Sequence, residues 1–392
     1  MKNKSEAYLY LRKYSVKTVL LLCLVLVVIF VEANAIKEQR DPERKKASKT
    51  SMGDNERWSK EKVNTWYDAQ QWPVGCNYVT STAINQIEMW QEDTFDPKTI
   101  DKELGFAENI GFNTVRIFLH DLVWEANPES FKKRLSTFFD IAEKHDIRVI
   151  VTFFTNGTYH ASSSPHLGKQ KDPIPGVHNS GWVQSPAAEN VNNPSNWGRL
   201  ESYIKDIVGC FRNDNRILMW CLYNEPENAK RGAQSLSLMR QVYKWARSVN
   251  PSQPLTAPIW SLPCESKSNV EIVSFLGENC DVISFHSYRD GETMEEFIEL
   301  LKVFDRPLIC TEYMARTTGS TFEAILPILK RENVGAISFG LVAGKGNFFY
   351  PWGSQEGSAE PEVWFHDIFR ANGTPYDQGE IELIKQITET SH

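Results

Sequence analysis

Eight short apolar, β-branched runs alternate with segments of helical period from Trp72 to the carboxyl end, and no other feature of the chain restricts its fold so strongly. The runs are VGCNYV near residue 74, NTVRIFL near 113, RVIVTFF near 148, ILMWCLY near 217, PLTAPIW near 254, DVISFHS near 281, PLICTEY near 307 and VGAISFG near 334. The segments between them carry apolar residues on one helical face. In NWGRLESYIKDIVGCFRND these are Leu200, Tyr203, Ile204, Ile207, Val208 and Phe211; in FKKRLSTFFDIAEKHD they are Leu135, Phe138, Phe139 and Ala142. Gly111, after DKELGFAENI, suits a helix C-terminus. Near-continuous apolar strands joined by crossover helices belong in a parallel sheet covered by helices, and eight such units predict an α/β fold, a single-domain (β/α)₈ TIM barrel. The competing doubly wound sheet wants a glycine-rich phosphate turn after its first strand, and NYVTSTAIN offers none.

The amino terminus is of another kind. Lys2, Lys4, Arg12, Lys13 and Lys17 precede the uncharged run Val19 to Val31, and Ala33 and Ala35 follow with small-residue spacing. This pattern predicts a secretory signal peptide over residues 1–35, cleaved after Ala35, with a retained signal anchor over residues 16–33 as the alternative. Both place the remainder outside the cell. Residues 36–64 are charged and aperiodic and read as a flexible tail, which leaves 65–392 as the (β/α)₈ domain. Loss of residues 1–35 takes the formal net charge from −7 to −10, and with no basic block in the globular part the composition argues against a nucleic-acid partner.

Six cysteines follow the leader, at 76, 210, 221, 264, 280 and 310, and none has metal-ligand spacing. Cys76, Cys221 and Cys310 lie in apolar runs and read as buried thiols, while Cys264 and Cys280 form the best candidate bridge. Asn156-Gly157-Thr158 and Asn372-Gly373-Thr374 are glycosylation sequons and suit a secreted surface.

The longest departure from the alternation is residues 155–194, a polar excursion containing Pro and Gly, which a barrel would place on its active face. Its His160, His166 and His178 are irregularly spaced and read as solvated or sugar-contacting rather than as a metal cluster. Tyr159 and Trp182 are candidate sugar platforms. In the first loop Glu88 and Trp90 read equally as site wall or as packing, and Glu227 and Asn228 read as loop residues capping the next helix.

Polar residues collect where barrel strands end. The second strand carries Arg116, the fourth ends in Asn224-Glu225, the sixth in His286-Ser287-Tyr288 and the seventh in Thr311-Glu312-Tyr313. Glu225 and Glu312 would face each other across the barrel mouth. Glycosidic cleavage needs such a pair, one carboxyl group protonated to serve the leaving oxygen and one ionised to attack the anomeric carbon, roughly 5 to 5.5 Å apart when configuration is retained. Burial and a negative neighbour would keep Glu225 an acid, Arg116 would keep Glu312 ionised, and Asn224 would hold the sugar 2-hydroxyl. Taken singly, a buried strand-end Glu or Arg is more often a structural ion-pair partner. The ordered set decides for chemistry.

With VRIF, NEP, HSY and TEY in this order, the chain from about residue 70 to 370 resembles the clan A retaining glycoside hydrolases, most nearly the cellulase and mannanase-like family five. The resemblance implies a retaining β-glycosidase acting on a β-linked polysaccharide or oligosaccharide without metal or other cofactor. It implies Glu225 as acid/base, Glu312 as nucleophile, Asn224 and Arg116 as substrate-side partners, and His286 and Tyr288 flanking the nucleophile, with Tyr288 orienting Glu312. Two departures stand out. Strand three ends in TFFTNG without the family's frequent histidine, and Phe339 stands where a tryptophan usually floors the catalytic subsite. Either Trp352 in YPWGS supplies that ring, or Phe339 is core. A transglycosylase with the same carboxylates, a silent carbohydrate-binding barrel and a metal-dependent hydrolase are the rival readings. The last lacks histidines at ligand spacing.

Overall fold

The computed structural model describes residues 56–156, 164–228, 232–260 and 267–389. Its eight strands are β1 (Val74–Asn77), β2 (Thr114–Phe118), β3 (Arg148–Thr155), β4 (Ile217–Asn224), β5 (Leu255–Thr256), β6 (Ile283–His286), β7 (Leu308–Tyr313) and β8 (Gly335–Phe339). Six fall within the runs that the alternation marks, and β3 and β4 extend one residue past theirs. Neighbours pair in parallel in the order β5-β4-β3-β2-β1-β8-β7-β6. Between β5 and β6 there is no regular ladder; Asp281 N donates to Leu255 O at 2.8 Å, and a parallel bridge joins Ile259 with Phe285, where Ile259 N donates to Ser284 O at 2.9 Å and His286 N to Ile259 O at 3.1 Å. The sheet is thus a nearly closed (β/α)₈ barrel.

Helices cover the outside because their apolar faces have only the barrel to pack on. Helix Pro128–Lys144 starts with Asn127 accepting from Ser130 N and a proline in its first turn, and it buries Phe131, Leu135, Phe138, Phe139 and Ala142. Helix Trp197–Cys210 buries Leu200, Tyr203, Ile204, Ile207 and Val208, the face its periodicity marks. After helix Pro97–Glu108, Gly111 adopts φ +81°, and an added Cβ would meet Thr388 Oγ1 of the last helix, Gln378–Glu389, at 2.2 Å.

The amino-terminal boundary of the domain differs from the sequence expectation. Helix Lys60–Asp68 is folded onto the barrel, with Trp58, Val63 and Tyr67 buried against Ile150, Met219, Ile309 and Ile337. Arg57 donates to Cys280 O and Gly277 O, both at 2.7 Å, and Trp58 N donates to Asp281 Oδ1 at 2.8 Å. Residues 57–64 therefore close the amino-terminal face instead of extending the charged tail, and three apolar anchors among polar neighbours suffice for that. No helix among the described residues is long and apolar enough to cross a membrane. The apolar run of the leader lies outside them.

Cys76, Cys221 and Cys310 are buried thiols as expected. Cys280 is buried with Sγ 2.9 Å from Tyr243 Oη, and Cys264 lies outside the described residues.

Candidate active site

The carboxyl ends of β1, β2, β4, β6 and β7 converge on one buried polar cluster. Arg116, wholly buried in β2, is its hub. Nη1 donates to Asn77 Oδ1 at 2.8 Å and to Glu312 Oε1 at 3.0 Å; Nη2 donates to Asn224 Oδ1 at 2.5 Å and lies 3.4 Å from Cys221 Sγ. A guanidinium has five donors in a fixed plane, so one residue can set the positions of groups from three other strands. Asn77 is itself anchored, Nδ2 donating to Thr311 O at 2.7 Å and Ser338 O at 2.9 Å. With its amide oxygen taken by Arg116, Asn224 has its NH₂ group left to donate.

Glu312 is held from both oxygens. Arg116 takes Oε1, and Tyr288 Oη donates to Oε2 at 2.7 Å. Glu225 has its Oε1 2.6 Å from His286 Nδ1 and accepts from Asn228 Nδ2 on Oε2 at 2.5 Å. His286 Nδ1 is also 3.5 Å from Glu312 Oε2. A register shift in the β6–β7 ladder after Phe285 brings His286 opposite Glu312, the local re-aiming a bulge performs beside a site. One oxygen from each carboxylate and one His286 ring nitrogen lie within 4.8 Å of one another. The trio has the donors for a cation, but Arg116 already supplies the positive charge facing Glu312.

Burial dominates the electrostatics. It raises the Glu225 carboxyl to about 7, against the Asn228 hydrogen bond and the Arg116 charge, both of which pull it down. Burial also raises Glu312; the Glu225 charge adds to that, while His286, Arg116 and the Tyr288 hydrogen bond oppose it. His286 is pushed down to about 3 by desolvation, so its imidazole is neutral near neutral pH. The site therefore offers one carboxyl group that holds a proton up to neutrality beside a second one clamped by a cation and a phenol.

Glu225 sits in the left-handed region at φ +46°, just past the end of β4. The turn is braced by Asn156 at the end of β3, whose Nδ2 donates to Pro226 O at 2.6 Å and Ser235 Oγ at 3.2 Å and whose Oδ1 accepts from Tyr223 Oη at 2.7 Å. Asn156 is thus 2% exposed with its amide engaged. That corrects its reading as a surface glycosylation sequon. Asn372 is exposed in a turn.

The remaining expectations divide. Trp352 is 49% exposed and stands edge-on to Tyr288 at 5.0 Å, an open aromatic face beside the clamp on Glu312. Phe339 is half-buried, edge-on to Phe348 at 5.2 Å and 5.1 Å from His366. Trp182 is only 4% exposed and lies edge-on to Phe118 at 5.1 Å, so it packs and presents no sugar face. Tyr159 and His160 fall outside the described residues. His166 is exposed, but His178 is buried among Phe348, Phe365 and His366 and is not a solvated histidine. Trp90 is packing, its Nε1 donating to Phe118 O at 2.7 Å, whereas Glu88 pairs with Lys345 at 2.7 Å. Glu227 accepts from Trp260 N at 2.9 Å, and Asn228 donates to Glu225 Oε2 in the site. Asn77, Asn156 and Asn228 were missed by sequence reasoning. A lone Asn ending an apolar strand was the available signal for the first two.

Residues 67–339 match the family profile described as Cellulase (glycosyl hydrolase family 5). Among curated proteins no sequence matches the chain. Solved structures with the same fold include GH5_18 from Streptomyces cattleya in complex with GlcNAc, at 12% identity and TM-score 0.55 over 81% of this chain and 80% of that one. The endo-β-1,4-mannanase from Thermotoga petrophila matches at 14% identity and TM-score 0.56 over 83% and 78%. The exo-β-1,4-mannosidase from Opitutaceae bacterium strain TAV5 matches at 16% identity and TM-score 0.57 over 81% and 60%.

Proposed function

The chain belongs to glycosyl hydrolase family 5, and on that premise we propose that it is a retaining β-glycosidase in which Glu225 is the acid/base and Glu312 the nucleophile. The observation that carries this reading is the asymmetry of two carboxylates within reach of one another. Glu225 keeps its proton to about pH 7, while Glu312 is gripped by Arg116 and Tyr288.

The sugar lies with its anomeric carbon toward Glu312 and its glycosidic oxygen toward Glu225. As the carboxylate attacks, Glu225 passes its proton to the leaving oxygen, and a covalent glycosyl-enzyme forms with inversion at carbon 1. Glu225, now a base, takes a proton from water, and attack by that water releases Glu312 with a second inversion. The proximity of the carboxylates supports retention, since a base acting on water across the ring needs roughly 6.5 to 9.5 Å between them. Asn224 donates to the 2-hydroxyl, Trp352 supplies the aromatic face that Phe339 does not, and His286 keeps a neutral polar group between the two acids. No cofactor enters these steps.

The substrate is a β-linked oligosaccharide or polysaccharide. The basic, apolar and small-residue order of the leader supports secretion, for which the mature chain would begin near Ile36.

Proton NMR of a fresh digest tests the mechanism. The β-anomer should appear first, with the α-anomer growing only by mutarotation, and an activated 2-fluoro β-glycoside should label Glu312. Immediate release of the α-anomer overturns it. Hydrolysis and transfer to sugar acceptors separate by product analysis at low and high acceptor concentration.

A further inference from the structure

The described part of the β3 loop, residues 164–184, does not remain over its own strand. At β2, Trp182 stands against Phe118, and the Phe118 ring lies 4.8 Å from the Arg116 guanidinium. At the β1 loop, Asn85 Nδ2 donates to Gln170 Oε1 at 3.0 Å and Gly181 O at 2.9 Å, and Gln86 Nε2 donates to Val183 O at 2.8 Å. At the β8 loop, Asn179 N donates to Gly346 O at 2.9 Å, His178 N to Ser354 Oγ at 3.0 Å, and Gly357 N to Pro175 O at 2.8 Å, while His178 Nδ1 is 2.7 Å from Tyr350 O. Since β2, β1 and β8 are consecutive in the barrel, one segment walls three adjoining strand ends.

The wall is packed, not draped. Val177, His178 and Asn179 are only 7%, 7% and 4% exposed. Gly176, at φ +79°, lies so near the β8 loop that a Cβ would meet Ser358 N at 2.5 Å, and a Cβ on Gly181 would meet Ile84 Cδ1 at 2.2 Å. At both points the loops pack against one another without room for even a methyl group on the glycine.

The direction of the chemistry says what the wall excludes. The leaving group belongs on the side of Glu225 and β4, because its oxygen receives that proton. The attacked sugar belongs over Glu312, Tyr288 and Trp352, and further units on its non-reducing side would have to run out across β8, β1 and β2. That arc is the closed one. Resting on the glycosidase reading above, we propose that this enzyme is exo-acting: it removes the terminal sugar at the non-reducing end of a β-linked chain, one unit per hydrolytic event, and does not cut internally.

The test uses the intact protein with reducing-end-labelled mannohexaose, cellohexaose and xylohexaose, together with aryl β-glycosides of the same sugars. The accepted hexasaccharide should give labelled penta-, tetra- and trisaccharide in sequence with free monosaccharide, and the matching polymer should keep its viscosity. First labelled products shorter by two units or more, or an early fall in viscosity, overturn the proposal while leaving the glycosidase reading standing. No cleavage of any probe overturns the glycosidase reading and this proposal with it. In His178→Ala, which loosens the junction with the β8 loop, internal products should begin to appear; as a second opening, at the β2 junction, Trp182→Ala should do the same if the histidine variant fails to fold.

Discussion

Asn156 Nδ2 donates to Pro226 O at 2.6 Å, which fastens the end of β3 to the residue directly after Glu225. The relationship matters because Glu225 adopts φ +46°, a conformation costing a non-glycine residue roughly 1 kcal/mol or more unless its surroundings impose it. Asn156→Asp keeps the shape but loses the donor. It should lower kcat by about 10- to 100-fold, or ~1.4 to 2.7 kcal/mol of barrier, with little change in KM, since the substrate's binding contacts are untouched. Steady-state kinetics of the two variants Asn156→Asp and Asn156→Ala check this; an increase in KM alone would deny Asn156 its positioning role.

The activity should follow a bell-shaped pH profile whose alkaline limb falls near 7. Below that value Glu225 holds the proton it must donate, and as pH rises through it the acid is lost. On the acid side Glu312 must be ionised, so activity falls as pH drops through its raised value. The limbs belong to a coupled pair and report macroscopic constants. His286, held neutral down to about 3, should contribute neither. Carboxyl ionisation is nearly independent of temperature and imidazole ionisation is not, so kcat/KM profiles at two temperatures distinguish them. A limb that moves with temperature would restore His286 to the titration.

Truncating the two carboxylates should have different consequences. Glu225→Ala should cripple turnover of natural glycosides yet largely spare glycosylation by substrates with activated leaving groups, which need no proton. Glu312→Gly should abolish both. Equal losses on natural and activated substrates in Glu225→Ala would remove Glu225 from the acid role.

The parts of this architecture that could be read in the sequence are those where one side chain type at one period leaves a single packing solution. Eight apolar runs gave eight strands because each is buried on both faces, and Glu225 and Glu312 stood out as candidates by their place at the ends of such runs. What stayed hidden depended on partners distant in sequence. The segment Trp58 to Val63 reads as tail because its charges outnumber its apolar residues, yet Trp58 and Val63 meet a barrel floor formed by residues more than 80 positions later. Trp182 cannot be told from a sugar platform until Phe118 is found beneath it. Asn156 carries a surface signal in its Asn-Gly-Thr context, and only the burial of the β3 end reveals that its amide is an internal brace.

Asp367 offers a prediction about stability that leaves the chemistry aside. The residue is wholly buried behind the β8 loop, and burial raises its carboxyl to about 7, with Glu103 adding to the rise and Arg316 opposing it. Arg316 does not cancel the rise, its guanidinium being engaged by Glu380 at 2.8 and 2.7 Å. In the unfolded chain an aspartate ionises near 3.9, so between about pH 4 and pH 7 the folded state holds a proton that the unfolded state releases. Stability tied to this group is therefore intact below pH 4 and lost as pH rises to about 7, on the order of 3 to 4 kcal/mol in all. Asp367→Asn mimics the protonated form. Its Tm should match that of the native protein at pH 4 and exceed it by several degrees at pH 8, as thermal unfolding followed by circular dichroism would record. An equal Tm difference at the two pH values would mean that Asp367 is ionised in the folded protein.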